Sequence, residues 1–550
     1  MATPGRPNNS DVLNQSPPYV DVDLFGSDLP LQTAVAANGA AGDAVALSAF
    51  GRHWGTAEMF DHARLANENK PVLKTYDAKG FRQDFVEFHP SYYHFMAESI
   101  GAGMTSMTWD ADGARAEAPN EVARATRYYM VAQVENGHMC PVTMTRAAVG
   151  ALSAQRDLLA KIMPKIASRK YDQSFRPWTE KSGITIGMGM TEKQGGTDVR
   201  ANTTKAESTR DGYRINGHKW FMSAPMCDAF LVLAQAPYGL TCFLMPRFTP
   251  DGEHNGLRFQ RLKNKLGNSS NASSEVEFDD AFAWRVGDEG KGVRTIIEMV
   301  QLTRLDCAIS SSGIMRMALA QALHHARHRS VFQRMLVDQP LMGTVLADLA
   351  LDAEAALAAT MRLCRSYDRA ASDAQEAARA RTLTPVVKYW VCKTAPNFTY
   401  EAMECLGGNG YVEDGVLARL YREAPVNAIW EGSGNVVCLD LLRALARDKE
   451  AAGAVLETLA RQTYDLPGCG EAVKFVAKVL ASPAQEAHAR VAVERLALLA
   501  AAAALHESAP EVAQIFARLR LEGQPGRSYG AIEIGAKETG LLLDRALPAN

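Results

Sequence analysis

Tyr213-Arg214-Ile215-Asn216-Gly217-His218-Lys219-Trp220-Phe221-Met222 runs with a period of two, and the same beat returns in Phe230-Leu231-Val232-Leu233-Ala234 and Ser274-Glu275-Val276-Glu277-Phe278. Gly, Asn and Asp punctuate these runs, as hairpins require. Residues 184–295 therefore read as a compact antiparallel β domain. On either side the apolar spacing changes to three and four, the period of a helix with one buried face. Upstream, 51–183 reads as an all-helical block, preceded by an extended arm over 1–50 that carries Pro-Pro and Asn-Gly. Downstream, 296–447 reads as a helical bundle and 448–550 as a further Ala-rich helical extension. The predicted fold class is α+β, in the order helices, sheet, helices, more helices.

A chain of 550 residues exceeds one ordinary core, and 47% apolar with 22% charged residues excludes a disordered or fibrous chain. Lys plus Arg number 59 and Asp plus Glu 62, so a net charge of −3 gives no global pull toward polyanions. Nine scattered cysteines without a Cys-x-x-Cys pair fit a reducing cytoplasm. The start lacks the apolar stretch of a secretory signal, and Leu496–Leu505 is far short of a membrane span. A cytoplasmic protein without a membrane segment is expected.

Three strings could carry chemistry. Met190-Thr191-Glu192-Lys193-Gln194-Gly195-Gly196-Thr197-Asp198 sets hydroxyls around a double glycine, where exposed N–H groups can grip phosphate or a heterocycle edge; a plain polar hairpin is the competing reading. Gly217–Ser223 ends a strand with aromatics beside Ser223, suited to stacking a flat cofactor or to core packing. Cys405-Leu406-Gly407-Gly408-Asn409-Gly410-Tyr411 is followed by Ile429-Trp430-Glu431-Gly432-Ser433-Gly434-Asn435, two glycine breaks with a carboxylate after a Trp. An acid in an apolar wall has a raised pKa and serves as a base; an N-terminal acid on a helix dipole is the alternative. No Rossmann glycine fingerprint, Walker loop, zinc-protease helix or serine elbow is present. His324 and His328 have helical metal spacing but no third ligand, so no metal is expected.

Together with Leu266–Asp280 and its Asp279-Asp280, these strings resemble the acyl-CoA dehydrogenase family over roughly 90 to 447, in order and spacing. Their wording, the arm and the extension look most like the branch acting in the bacterial adaptive response to DNA alkylation. The resemblance implies an N-terminal helical domain, a central antiparallel β-barrel, a bundle, and FAD held between barrel and bundle. Thr191 would contact the flavin pyrimidine, Thr197 the pyrophosphate, and Phe221 and Ser223 the isoalloxazine edge. Met190, Gly196 and Met222 accompany them. Arg329 and Phe332 would reach the adenosine half of FAD in a neighbouring subunit, with Glu404, Gly407, Gly408, Ile429, Gly432, Ser433 and Asn435 on the closing loops of a homotetramer. Glu431 would remove the α-proton of an acyl-CoA while the β-hydride passes to the flavin; the family's second position for the base falls on Thr303, which cannot serve. Departures are Glu404 for a usual Gln, Gln333 for Gly and Val331 for Thr.

Composition gives the extension no nucleic-acid signature, since 441–550 holds 13 basic and 13 acidic residues. The resemblance nevertheless implies double-stranded DNA as partner, through Arg443, Arg447, Arg518, Arg520 and Arg527, with protection from or repair of alkylation damage and weak dehydrogenase activity. The alternatives are a catabolic short- or branched-chain acyl-CoA dehydrogenase and a noncatalytic flavin-stabilised scaffold.

Overall fold

A computed structural model describes residues 12–114, 120–481, 483–523 and 526–548. The beginning of the predicted arm, 1–11, lies outside the described residues. The arm differs from expectation: its 12–28 segment carries no regular element, but Leu29–Ala37 and Ala44–Trp54 are helices. Asp28 caps the first by accepting from the Leu31 N–H at 3.0 Å, with Pro30 in the opening turn. The helical block is also interrupted. Strands β1 (Val72–Tyr76) and β2 (Arg82–Glu87) form a hairpin whose turn is closed by Asp77, accepting from the N–H groups of Lys79 and Phe81 at 2.8 Å each. Val, Thr and Tyr beside an Asp-to-Gly turn favour a strand here over the helix expected.

The central sheet holds β3 (Ile186–Gly189), β4 (Lys205–Ser208), β5 (Tyr213–Ser223), β6 (Ala229–Ala236), β7 (Gly239–Pro246), β8 (Leu257–Leu262) and β9 (Ser273–Val286). Its order is β3-β6-β4-β5-β9-β7, and the β6–β7 pairing closes it into a barrel, with β8 added on β9. It is not wholly antiparallel: β3 runs parallel to β6 in a register that opens with Ile186 opposite Ala229. β6 is buried on both faces, which explains its unbroken apolar run. Phe230 and Leu233 share one core with Val149, Leu152, Leu159 and Ile162 of the preceding helices.

Among the described residues six helices follow: Gly292–His328, Pro340–Arg369, Ala374–Glu404, the one-turn Gly408–Tyr411, Val416–Asn427 and Gly434–Arg447. The extension contributes Lys449–Gln462, Cys469–Leu480, Ala489–Ser508, Pro510–Ala517 and Ala536–Ala546. Leu496–Leu505 is buried throughout, and its helix packs on Pro340–Arg369 and Ala374–Glu404. Small Ala side chains let these helices approach closely, so arm, bundle and extension share one hydrophobic core. Charged groups lock the junctions. Arg124 binds Asp306 through two N–H groups at 2.7 and 2.6 Å, and Arg146 spans Asp306 and Glu121, all fully buried. Arg316 pairs with Asp28 at 2.8 Å and donates to the carbonyls of Ser27 and Ala546 at 3.0 and 2.6 Å, tying both chain ends to the first bundle helix.

Candidate functional site

The Met190–Asp198 loop is pinned from beneath. Glu192 is buried and accepts from Lys219 Nζ at 2.8 Å, the Thr203 N–H at 2.7 Å and the Thr204 N–H at 3.2 Å. Burial alone would raise its carboxyl, but hydrogen bonds led by Lys219 outweigh this and bring it down to about 2. The Trp220 N–H donates to the Thr191 carbonyl at 2.8 Å, setting the loop across the end of β5. Gly196 folds against Thr191 so tightly that a Cβ there would stand 2.3 Å from the Thr191 hydroxyl. Within the sequence Glu192 is one member of the loop string; in the structure it is the loop's anchor.

At the end of β5, Phe221 is 48% exposed while the Met222 side chain is fully buried in the barrel core. Met222 thus faces inward, and its carbonyl accepts from Ser274 Oγ at 3.0 Å. Ser223 Oγ lies 3.2 Å from Ser273 Oγ.

The Glu431 carboxyl accepts from the Thr303 hydroxyl at 2.8 Å, while Arg304 Nε donates to the Glu431 carbonyl at 2.8 Å and the same guanidinium pairs with Asp440 at 2.8 Å. Lys388 Nζ donates to the carbonyls of Trp430 and Gly432 at 2.9 and 2.6 Å. Desolvation pushes the carboxyl above the ordinary carboxylate range, opposed by Thr303, Arg304 and Lys388. Thr303, which cannot serve as a base, is a hydrogen-bond donor to Glu431. Arg304 and Lys388 escaped sequence reading because each lies mid-helix with no local motif.

Barrel and bundle meet at this point. The Cys140 thiol is pushed up to about 12 by burial and feels the charges of Lys265 and Glu431. Trp430, beside Glu431, packs against the same core that holds Cys140 and Met222. Asn268 donates through Nδ2 to Glu423 at 2.8 Å, and a Cβ on Gly267 would stand 2.3 Å from the Arg422 carbonyl, so only glycine allows this docking. The Asn271 Oδ1 at the same seam has no hydrogen-bond partner among the described residues.

Other predicted residues lie apart from the seam or on its rim. Ile429 is exposed, and Asn435 Oδ1 accepts from Arg490 Nε of the extension at 2.8 Å. Ser433 is exposed and precedes the helix Gly434–Arg447, and Gly432 has a φ of 104°. Glu404, Gly407 and Gly408 are exposed on the far turn. Arg329 donates to the Asn14 carbonyl at 2.6 Å, and Phe332 stands 93% exposed. Of the arginines assigned to DNA, Arg443 and Arg527 are exposed. Arg518 is held by Glu538 at 2.8 Å. Arg520, its side chain 9% exposed, is held between Asp348 and Asp352, which commits its guanidinium to the fold and removes it from any phosphate contact. The Arg447 side chain lies outside the described residues. His324 is turned to the arm, within 2.8 Å of the Pro17 carbonyl. Among the described residues no helix is long and apolar enough to cross a membrane.

A barrel seated between helical layers, with an acid-bearing loop at the end of its strands, is the arrangement of one flavoprotein class, and the comparisons agree: the chain belongs to the acyl-CoA dehydrogenase family. Residues 187–281 match the acyl-CoA dehydrogenase middle domain, 290–446 its C-terminal domain, and 14–173 the adaptive response protein AidB N-terminal domain. AidB of Escherichia coli (strain K12) is 45% identical over 528 residues, covering 94% of this chain and 95% of that protein. Acyl-CoA dehydrogenase family member 11 of Caenorhabditis elegans is 33% identical over 70% of this chain and 64% of its own length. The solved structure of Caenorhabditis elegans ACDH-11 in complex with C11-CoA superposes with a TM-score of 0.84 at 26% identity, covering 98% of this chain and 96% of that one. A Bacillus anthracis acyl-CoA dehydrogenase complexed with FAD shares the fold, with a TM-score of 0.64 at 16% identity over 84% and 87% of the two chains. Members of this family bind FAD.

Proposed function

We propose that this chain is an FAD flavoprotein of acyl-CoA dehydrogenase chemistry that also binds double-stranded DNA and limits alkylation damage, with slow turnover of acyl-CoA. The observation that carries the first part is the Glu431 carboxyl, raised by desolvation and held by the Thr303 hydroxyl at 2.8 Å, on a loop whose Trp430 packs against the core that holds Met222 of the β5 end. The residues fit a flavin. Phe221 offers an exposed ring, Ser223 and Ser273 offer hydroxyls, Asn271 Oδ1 is an unspent acceptor, and the Gly196 cradle leaves backbone within reach of phosphate. Thr191, Thr197, Phe221 and Ser223 would hold it. When bound, FAD supplies the oxidant that takes up the electrons leaving with the substrate's β-hydrogen.

The chain's own residues do the proton chemistry. Glu431, ionised, takes the α-proton of the thioester onto its carboxylate. Thr303 fixes one oxygen of that carboxylate, and Arg304 holds its peptide, so the free oxygen stays aimed. Trp430, packed against the core beside the acid, reduces water access to it.

DNA binding is supported by the 45% identity to AidB along nearly the whole chain and by the exposure of Arg443 and Arg527. Arg520 takes no part. The exposed Phe332 and the exposed turn at Glu404–Gly408 support assembly with further copies into a homotetramer. The deciding experiment is a visible spectrum of the purified protein followed by duplex titration at two salt concentrations. Yellow protein with salt-sensitive duplex binding is expected; a colourless preparation that cannot be reconstituted removes the flavin, and no duplex binding at low salt removes the DNA. The ordered base favours one second reading, a catabolic dehydrogenase of short or branched acyl-CoA, which rapid bleaching of the flavin by such a substrate would establish.

A further inference from the structure

Lys388 sits in the middle of the helix Ala374–Glu404 and is 1% exposed. A buried ammonium is costly unless it is paired, and among the described residues no carboxylate lies within ion-pair distance of it. Its acceptors are two main-chain carbonyls, those of Trp430 and Gly432, the residues on either side of Glu431. Glu431 itself has a φ of 58° and Gly432 a φ of 104°, so the acid occupies a left-handed conformation that a side chain with a Cβ adopts only under constraint. Three consecutive carbonyls at 430, 431 and 432 are thus captured by two cations, Arg304 taking the middle one. Arg304 spends its charge on Asp440 at 2.8 Å, whereas Lys388 has no such neutralising partner.

We propose that Lys388 is a positioning residue for Glu431: its ammonium clamps the peptides on both sides of the acid into their left-handed turn and supplies the uncompensated positive charge that keeps the carboxylate ionised. The proposal rests on the dehydrogenase reading for the second half, the charge, but not for the first. The groups facing Glu431 from every packed element are few. Thr303, Arg304 and Cys307 come from Gly292–His328, Lys388 from Ala374–Glu404, Cys140 from Met139–Leu152, and Asp440 acts through Arg304. Burial raises both thiols, so they stay neutral and leave the two cations to set the field.

Two readouts test it on the full chain. In protein stripped of flavin, hydrogen–deuterium exchange of the 429–435 amides should quicken at least tenfold in Lys388→Met, with the flanking helices unchanged, and Lys388→Arg should restore most of the protection. In flavin-loaded protein, a 3-thia-acyl-CoA can lose its α-proton but cannot complete oxidation. The pH midpoint of its ionisation, followed by absorbance, should move up by about one unit in Lys388→Met, about tenfold less carboxylate at a pH below the midpoint. Unchanged exchange in 429–435 overturns the clamp, as does a global loss of protection, which would make Lys388 an ordinary fold residue. A shifted exchange with an unshifted midpoint overturns the electrostatic half. If the wild-type protein never ionises the analogue, the dehydrogenase reading fails, while the exchange experiment still decides the clamp.

Discussion

Thr303 shows how one hydroxyl changes meaning once its neighbour is known. As a donor to the ionised Glu431 it opposes the desolvation that raises this acid, so its removal should raise the acid further. A hydrogen bond to a charged group contributes about 1.5–3 kcal/mol, or one to two pH units. Thr303→Val should therefore displace the acidic limb of α-proton exchange, where the rate falls as Glu431 takes up its proton, upward by about that much, measured by deuterium wash-in to a bound acyl thioester. Glu431→Gln should cut the same exchange about 10²- to 10⁴-fold while leaving flavin binding intact. The acid itself was legible from Trp430-Glu431-Gly432, because glycine beside an acid after an aromatic is a local pattern. Arg304 and Lys388 are not, since they reach the loop from helices 127 and 42 to 44 residues upstream of their partners, in a manner no local spacing encodes.

At the scale of elements, the Met190–Asp198 loop depends on a single buried pair. Breaking a buried ion pair by removing one partner costs about 3–5 kcal/mol, so Glu192→Gln should lower the thermal midpoint sharply and loosen flavin retention together. The linkage has a definite sign. The folded carboxyl is held at about 2, below its ordinary 4.5, so its stabilisation is complete above the ordinary value and is lost as pH falls toward the folded one. Acid titration of the wild type and Glu192→Gln should give stability curves that converge below about pH 2 to 3. Sheet and bundle were readable because periods of two and of three to four persist over many residues. The hairpin β1–β2 is too short to show a period, and the helix at 29–37, built of small Ala side chains, carries little amphipathic signal and gains its stability from the packed core. The parallel pairing of β3 with β6 could not be read at all, since strand direction is set by the route of the connecting chain.

Across the whole molecule the extension is an integral layer. Leu496–Leu505 fills the space over two bundle helices, Arg545 pairs with Glu354, and Arg316 grips the Ala546 carbonyl. Deleting 449–550 would bare those apolar faces, and the truncated chain should elute as aggregate on size exclusion instead of as a free-standing dehydrogenase core. Arg443, in contrast, is exposed on the helix that follows the acid's loop, with Asp440 at 3.8 Å as a loose neighbour. Arg443→Glu should weaken duplex binding uniformly across sequences and lower the slope of log affinity against log salt by about one or more, without shifting thermal stability. One chemical consequence concerns sulfur. All nine thiols are free and buried, and those of Cys140, Cys242 and Cys405 are pushed up to about 12 by burial. Soft electrophiles consume thiolate, and this polypeptide offers them protonated, sealed sulfhydryls instead. Methyl methanesulfonate should leave the native chain's intact mass free of S-methyl adducts and add several once urea opens it, which would make the molecule a poor victim of the very reagents that scar a genome.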